Sequence, residues 1–255
     1  MIKGVIFDFF LTLVYLKSKY EEERARVIYD YLISRKMVSL NFEKFFNIMK
    51  DCYTKWRRIK YENLIEVSQY MWIADLLVNF LQLQIKMNDI MEIIKRRNMI
   101  IVNNAEIYPD VISTLEKLKE MKLLLILITN TDDSDLAFKL LDKFHIKSYF
   151  DFIVTSEYVN MRKPDPNIVK YALKHVDLAP ENTIIVGDSM KDDILCGYLA
   201  NIRTVYIDRP YKEENPYLNA PLYKKIEIEN IKPDFRIQSL EELISIIKKI
   251  NNKKV

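Results

Sequence analysis

Ile2-Lys3-Gly4-Val5-Ile6-Phe7-Asp8-Phe9-Phe10-Leu11-Thr12 is the stretch whose reading decides the fold. Its short, partly β-branched apolar run suits a strand buried on both faces, and the run ends at a single carboxylate, Asp8. Chemistry in open parallel sheets collects at that end of the strands. Beyond it the pattern changes. Apolar residues recur every three or four positions in four segments, 20–35, 42–63, 65–83 and 89–97, which predicts a four-helix module. Val27, Ile28, Tyr31 and Leu32 share one face of the first helix, and Asn41 and Asn88 are the expected N-caps of the second and fourth.

From Tyr108-Pro109 onward, helix and strand alternate in units short enough only for α/β winding. Helices are predicted near 110–121, 134–144, 166–175 and 191–200, and strands at 123–128, 152–154, 183–186 and 204–207. A parallel sheet follows. The stretch 208–232 carries prolines and tyrosines and reads as irregular. A short strand near Phe235 and a helix opened by Ser239, with Glu242 as its capping partner, close the chain. The predicted organisation is residues 1–15 as the first strand and its loop, 16–100 as an inserted helical cap, and 101–255 as the rest of an α/β core. A module inserted there is expected to act as a lid over the strand ends it leaves.

Composition narrows the function. The 255 residues are 49% hydrophobic and 29% charged, a folded, globular balance. The net charge of +3 comes from 39 basic and 36 acidic residues mixed along the chain, so there is no basic stripe and nucleic acid is not an indicated partner. Cys52 and Cys196 stand far apart, without metal-ligand spacing, and read as free buried thiols. No signal peptide is evident, and even the apolar run Leu123 to Ile128 is too short to span a membrane, so the expectation is a cytoplasmic protein. Only three glycines occur, Gly4, Gly187 and Gly197, which excludes a glycine-rich phosphate loop. His145 and His175 read as helix-end residues, Tyr53, Trp56, Tyr61, Tyr70 and Trp72 as cap core, and Arg96-Arg97 as a solvated helix end.

Four polar clusters stand at the carboxyl ends of four predicted core strands. They are Asp8 with Thr12; Thr129-Asn130-Thr131; Arg162-Lys163-Pro164-Asp165; and Gly187-Asp188-Ser189 with Asp192 and Asp193. Taken singly, Asp8 reads as a helix N-cap or turn residue, Thr129-Asn130 as a loop and Lys163 as a solvated side chain. Together, in α/β order around a helical insert, they resemble the haloacid-dehalogenase-like superfamily over nearly the whole chain. Asp8-Phe9-Phe10-Leu11-Thr12 is similar to its first motif, Leu127-Ile128-Thr129-Asn130 to its second, Lys163-Pro164-Asp165-Pro166 to its third and Gly187 to Asp193 to its fourth.

That resemblance implies a Rossmann-like parallel sheet core with an inserted four-helix cap, and a hydrolase acting on a small-molecule substrate. Asp8 would be the nucleophile, forming an acyl-phosphate that splits hydrolysis into two easier steps. Mg2+ is the implied cofactor, with Asp8, the Phe10 carbonyl and Asp188 as ligands. Asp193 would steady Lys163 or a metal-bound water, with Asp192 as second choice for that position. Lys163 would offset the charge of Asp8 and of the transferred group, while Thr129 and the Asn130 backbone N–H would hold a phosphoryl oxygen. Two unit charges about 4 Å apart repel by about 4 kcal/mol at an effective dielectric near 20, so clustered carboxylates imply a cation.

Two departures stand out. The family's phosphatases carry a second Asp two residues after the nucleophile, as general acid and base, where this chain has Phe10. Leu11 replaces the usual glycine, with an expected effect on loop packing only. An aromatic at position 10 resembles the metal-independent 2-haloacid dehalogenases, the alternative reading, but Asp188 keeps the carboxylate those enzymes lack. A weakly active metal- and phosphate-binding protein is the third reading. No sequence feature fixes the substrate or the oligomeric state.

Overall fold

The computed structural model describes residues 1–17, 21–210 and 230–252. Tyr20 and most of the stretch read as irregular, 211–229, lie outside the described residues. The chain divides into two compact units, Met1–Tyr15 with Ile107–Val255, and Leu16–Glu106.

The first unit is built on a six-stranded, all-parallel sheet of β1 (Gly4–Phe7), β4 (Leu124–Thr129), β5 (Phe152–Thr155), β6 (Thr183–Gly187), β7 (Arg203–Ile207) and β8 (Phe235–Ile237), in the order β5-β4-β1-β6-β7-β8. From β1 the chain moves outward through β4 to β5, then returns to the other side of β1 with β6. The strand order therefore reverses between β1 and β6, which is where open α/β sheets leave a crevice. Register places Phe7 beside both Leu127 and Val186, so Asp8 leaves the sheet level with Ile128 and Gly187. Ile6, Ile126, Ile128, Ile168, Val169 and Ile185 belong to one buried cluster that joins strands to helices. This explains the near-continuous apolar runs of the central strands, buried on both faces.

The sheet is flanked by α5 (Val111–Glu120), α6 (Ser134–Lys143), α7 (Ser156–Val159), α8 (Pro166–His175), α9 (Leu195–Leu199) and α10 (Glu241–Asn252). The helix expected at 191–200 is a π-helical turn, Met190–Ile194, running into α9. Glu242 Oε1 accepts from the Ser239 N–H at 3.0 Å, the expected closure at the start of α10.

The second unit is helical: α1 (Glu21–Ser34), α2 (Phe42–Asn63), α3 (Gln69–Asp75) and α4 (Met87–Asn104), around Ile28, Leu32, Phe45, Trp72, Ile73 and Ile93. Asn41 caps α2, its Oδ1 accepting from the Lys44 N–H at 2.9 Å. Three expectations need correction. The third helix begins at Gln69 rather than 65 and ends in a π-helical turn, Leu76–Phe80. Asn88 lies inside the first turn of α4 instead of capping it, because Lys86 holds that position and Asp89 accepts from its N–H. The fourth helix continues to Asn104, so the helical unit extends past residue 100, to Glu106. At the two crossings, β2 (Val14–Leu16) and β3 (Ala105–Ile107) pair with each other. Among the described residues no helix is long and apolar enough to cross a membrane.

Candidate active site

Segments following β1, β4 and β6 supply the site with the loop between α7 and α8; Lys163, expected at a strand end, stands on that loop because α7 intervenes after β5. β1 delivers Asp8, whose N–H donates to the Val186 carbonyl at 2.9 Å and so anchors the residue to the sheet. The next residues turn sharply: Leu13 and Val14 N–H groups donate to the Phe9 carbonyl, and the Leu11 N–H to Val14 O at 2.6 Å. Leu11 sits at φ 61°, in the left-handed region that favours glycine. Replacement of the usual glycine here thus bears on the backbone, and not only on loop packing as the side chain alone suggested. The turn brings the Thr12 hydroxyl back to donate to Asp8 Oδ2 at 3.0 Å.

Lys163 is fully enclosed and reaches the same carboxylate from the other side. Its Nζ donates to Asp8 Oδ1 at 2.6 Å, to Asp193 Oδ1 at 2.6 Å and to the Ile128 carbonyl at 2.8 Å, using all three ammonium protons. Asn130, at the end of β4, fixes the backbone there. Its Oδ1 accepts from the Lys163 N–H at 2.9 Å and its Nδ2 donates to the Lys163 carbonyl at 2.9 Å. Sequence reasoning gave Asn130 only a backbone role, and the side-chain clamp was not foreseen. Downstream, Asp165 caps α8 by accepting from the Asn167 N–H at 2.9 Å, with Pro166 in the first turn. Thr129 is buried at the end of β4, paired in register with Thr155.

The fourth segment follows β6. Asp193 lies on the π-helical turn, and its two oxygens are engaged separately: Oδ1 by Lys163, Oδ2 by the Ser189 N–H at 3.0 Å. One oxygen each of Asp8, Asp188 and Asp193 falls within 4.8 Å of the others. Asp192 stays outside this group, its N–H bonded to Ser189 Oγ at 3.1 Å. Phe10 is half-buried, with its ring edge-on to that of Phe9 at 5.1 Å between centroids.

The electrostatics are those of a site short of positive charge. Burial works to lower the pKa of Lys163, but the charges of Asp193 and Asp8 outweigh it and hold the ammonium above its ordinary range. Burial pushes Asp193 up to about 7, with Asp8 adding and Lys163 opposing. Asp188 is pushed well above the carboxylate range, first by burial and then by the charges of Asp8 and Asp193. Three converging carboxylates face one ammonium. The donors are all hard oxygens, and a divalent cation such as Mg2+ would offset the mutual repulsion of these carboxylates, so the residues fit the ion.

Other candidates fall elsewhere. His175 stacks on Phe152 at 4.8 Å, with Nδ1 2.8 Å from the Tyr171 carbonyl, and His145 takes the left-handed position after α6, so both are helix-end residues. Cys52 and Cys196 are free and buried. Trp72 is core and Tyr53 and Trp56 pack against it, whereas Tyr70 is exposed. Arg97 is not solvated. It is buried, bonded to Gln69, with its guanidinium 4.5 Å from the Trp72 ring centroid. Arg209, buried beside Thr12, also escaped the sequence reading, since a lone arginine after a strand carries no periodic signal.

The chain is 30% identical to glyceraldehyde 3-phosphate phosphatase of Methanocaldococcus jannaschii over 98% of its own length and 99% of that protein's. It is 34% identical to phosphoglycolate phosphatase 1 of Pseudomonas aeruginosa, but over 45% of this chain and 43% of that one. The chain spans about half the length of several curated relatives it matches. In fold alone it is similar to 2-haloacid dehalogenase from Pseudomonas syringae pv. Tomato DC3000, with a TM-score of 0.67, 20% identity and coverage of 98% and 99% of the two chains. The family model for haloacid dehalogenase-like hydrolases matches residues 27–207, well over half of the chain. With a match of that extent and a relative aligned end to end, this chain belongs to the haloacid dehalogenase-like hydrolase family.

Proposed function

We propose that the chain is a Mg2+-dependent phosphatase of small phosphorylated metabolites, working through an aspartyl-phosphate on Asp8. The observation that carries this reading is the convergence of Asp8, Asp188 and Asp193 on one another, with the Lys163 ammonium bonded to Asp8 and Asp193. A metal-independent dehalogenase has no need of Asp188. The phosphatases named among the relatives support the same choice, and the one aligned end to end makes glyceraldehyde 3-phosphate a first ester to assay.

In this mechanism Asp8 attacks phosphorus and the leaving oxygen departs, after which water hydrolyses the acyl-phosphate and regenerates the carboxylate. Thr12 and Lys163 each hold one Asp8 oxygen and so fix its direction. Lys163, kept charged by Asp193, draws charge from the transferred group. Thr129 and the Asn130 N–H, at the end of the neighbouring strand, are placed in this reading on a phosphoryl oxygen. Asp8, Asp188 and the Phe10 carbonyl would hold Mg2+, with Asp193 acting on Lys163 or through water. When bound, the ion would supply Lewis-acid charge neutralisation.

The test is a substrate panel with and without Mg2+, spanning alkyl, aryl and acyl phosphates and 2-chloropropionate. Phosphate release that requires Mg2+ and stops in EDTA is expected. Phe10 favours a second reading, the dehalogenase, and chloride release undiminished by EDTA with no phosphatase activity would establish that one instead.

A further inference from the structure

Arg209 stands two residues beyond the end of β7 and is buried, at 5% exposure. Its Nε and Nη2 donate to the Thr12 carbonyl at 3.1 and 2.8 Å. Its Nη1 and Nη2 donate to the two oxygens of Asp110 at 2.8 and 3.0 Å, and the guanidinium carbon lies 4.0 Å from the Tyr108 ring centroid. Asp110 is itself anchored, accepting from Ser239 Oγ at 3.0 Å and the Leu240 N–H at 2.8 Å. Arg209 and Asp110 together thus tie the loop after β1 to the starts of α5 and α10.

Stability alone gives little reason for this arrangement, because a buried ion pair gains little over apolar side chains of the same volume. What a guanidinium fork supplies is direction. The group it directs is Thr12, whose hydroxyl donates to Asp8 Oδ2 at 3.0 Å, while Asp8 Oδ1 is held by Lys163 at 2.6 Å. The loop between them carries a left-handed leucine, Leu11 at φ 61°, a conformation that L side chains resist and that outside contacts must hold. We propose that Arg209 is a positioning residue for the nucleophile: it pins the Thr12 carbonyl and, through the Thr12 hydroxyl, sets the orientation from which Asp8 attacks. This rests on the reading of Asp8 as the attacking carboxylate.

The experiment must separate positioning from folding, since removing Arg209 alone leaves Asp110 buried without its cation. The double variant Asp110→Asn/Arg209→Met removes both charges together. With 4-nitrophenyl phosphate and Mg2+, its kcat is expected to fall at least about tenfold while KM changes less than about twofold, at a melting temperature near that of wild type; a displacement of about 1 Å at a reacting group can cost up to about 100-fold. Arg209→Lys, which keeps Asp110 paired but lacks the fork, should show the same split, and it decides the matter if the double variant fails to fold. Wild-type kcat in a folded variant of either kind would overturn the proposal. If the wild-type chain hydrolyses no phosphate ester, the phosphatase reading fails alone, and the same comparison is made on chloride release, where Asp8 is again the nucleophile. A wild-type chain inert toward both substrates would remove Asp8 from the chemistry and this role of Arg209 with it.

Discussion

Gly187 lies against the carboxyl group of Asp193 so closely that a Cβ at position 187 would stand 2.5 Å from Asp193 Cβ and nearer still to Cγ and Oδ2. The glycine that ends β6 is therefore what lets Asp193 reach back to Lys163 and the Ser189 N–H. Gly187→Ala should displace Asp193, loosen Lys163 and cost about 1–3 kcal/mol of stability, the usual range for overpacking. Urea denaturation measures that loss, and turnover should fall at least about tenfold in the protein that remains folded. A variant of normal stability and turnover would show that Asp193 can sit elsewhere without consequence.

Much of this was legible beforehand, and the reasons are physical. Strands buried on both faces leave near-continuous apolar runs, so β1, β4 and β6 and the polar residues at their ends could be read directly from the sequence. Parallel register sets the ends of β1, β4 and β6 side by side, but Lys163 lies beyond β5 and α7 and is brought to Asp8 by the Asn130 clamp, and Asp193 comes back on the turn after β6. Buried charge leaves no such trace. Arg97 and Arg209 look like any solvated arginine in the sequence, because their burial depends on distant partners such as Gln69, Asp110 and Thr12. The left-handed backbone of Leu11 was hidden for a related reason, since the residue type argues against the conformation the turn imposes.

Asp8→Asn should abolish turnover and leave the fold intact, because it keeps shape and removes the carboxylate that attacks in the proposed mechanism. Loss of a charge from a site with three converging carboxylates should not itself unfold the protein. Phosphate release and circular dichroism on the same preparation provide the check. Near-normal turnover would remove Asp8 from the mechanism.

Acid should weaken the Arg209 clamp in a defined way. Burial tends to raise the pKa of Asp110, but hydrogen bonds from Arg209, the Leu240 N–H and Ser239, with the Arg209 charge, hold it below the ordinary carboxylate value. A carboxylate depressed on folding contributes stability that is fully present above its unfolded pKa, about 3.9, and lost as pH falls through the lower folded value. Asp110→Asn should therefore be less stable than wild type at neutral pH, with the gap closing as pH drops below about 4. Denaturation midpoints of the two proteins across this range decide it, and a gap independent of pH would mean that Asp110 does not carry the linkage.

Phe10 occupies the position where the family's phosphatases place a proton donor, and its ring rests edge-on to Phe9 at 5.1 Å. In the proposed mechanism, with a nucleophile, Lys163 and a cation but no acid there, the site should rank substrates by how well their leaving groups depart unprotonated, so acyl and aryl phosphates should outrun alkyl ones. Phe10→Asp should then raise alkyl phosphate hydrolysis by at least about tenfold, below the 10²–10⁴ that positioned acid catalysis typically supplies, and change good leaving groups much less. The substitution also removes the Phe9 contact, so circular dichroism and Mg2+ titration must accompany the kinetics. Wild-type rates that do not vary with leaving-group pKa would show that another acid serves the reaction, and that the aromatic at position 10 is not a lost catalytic group.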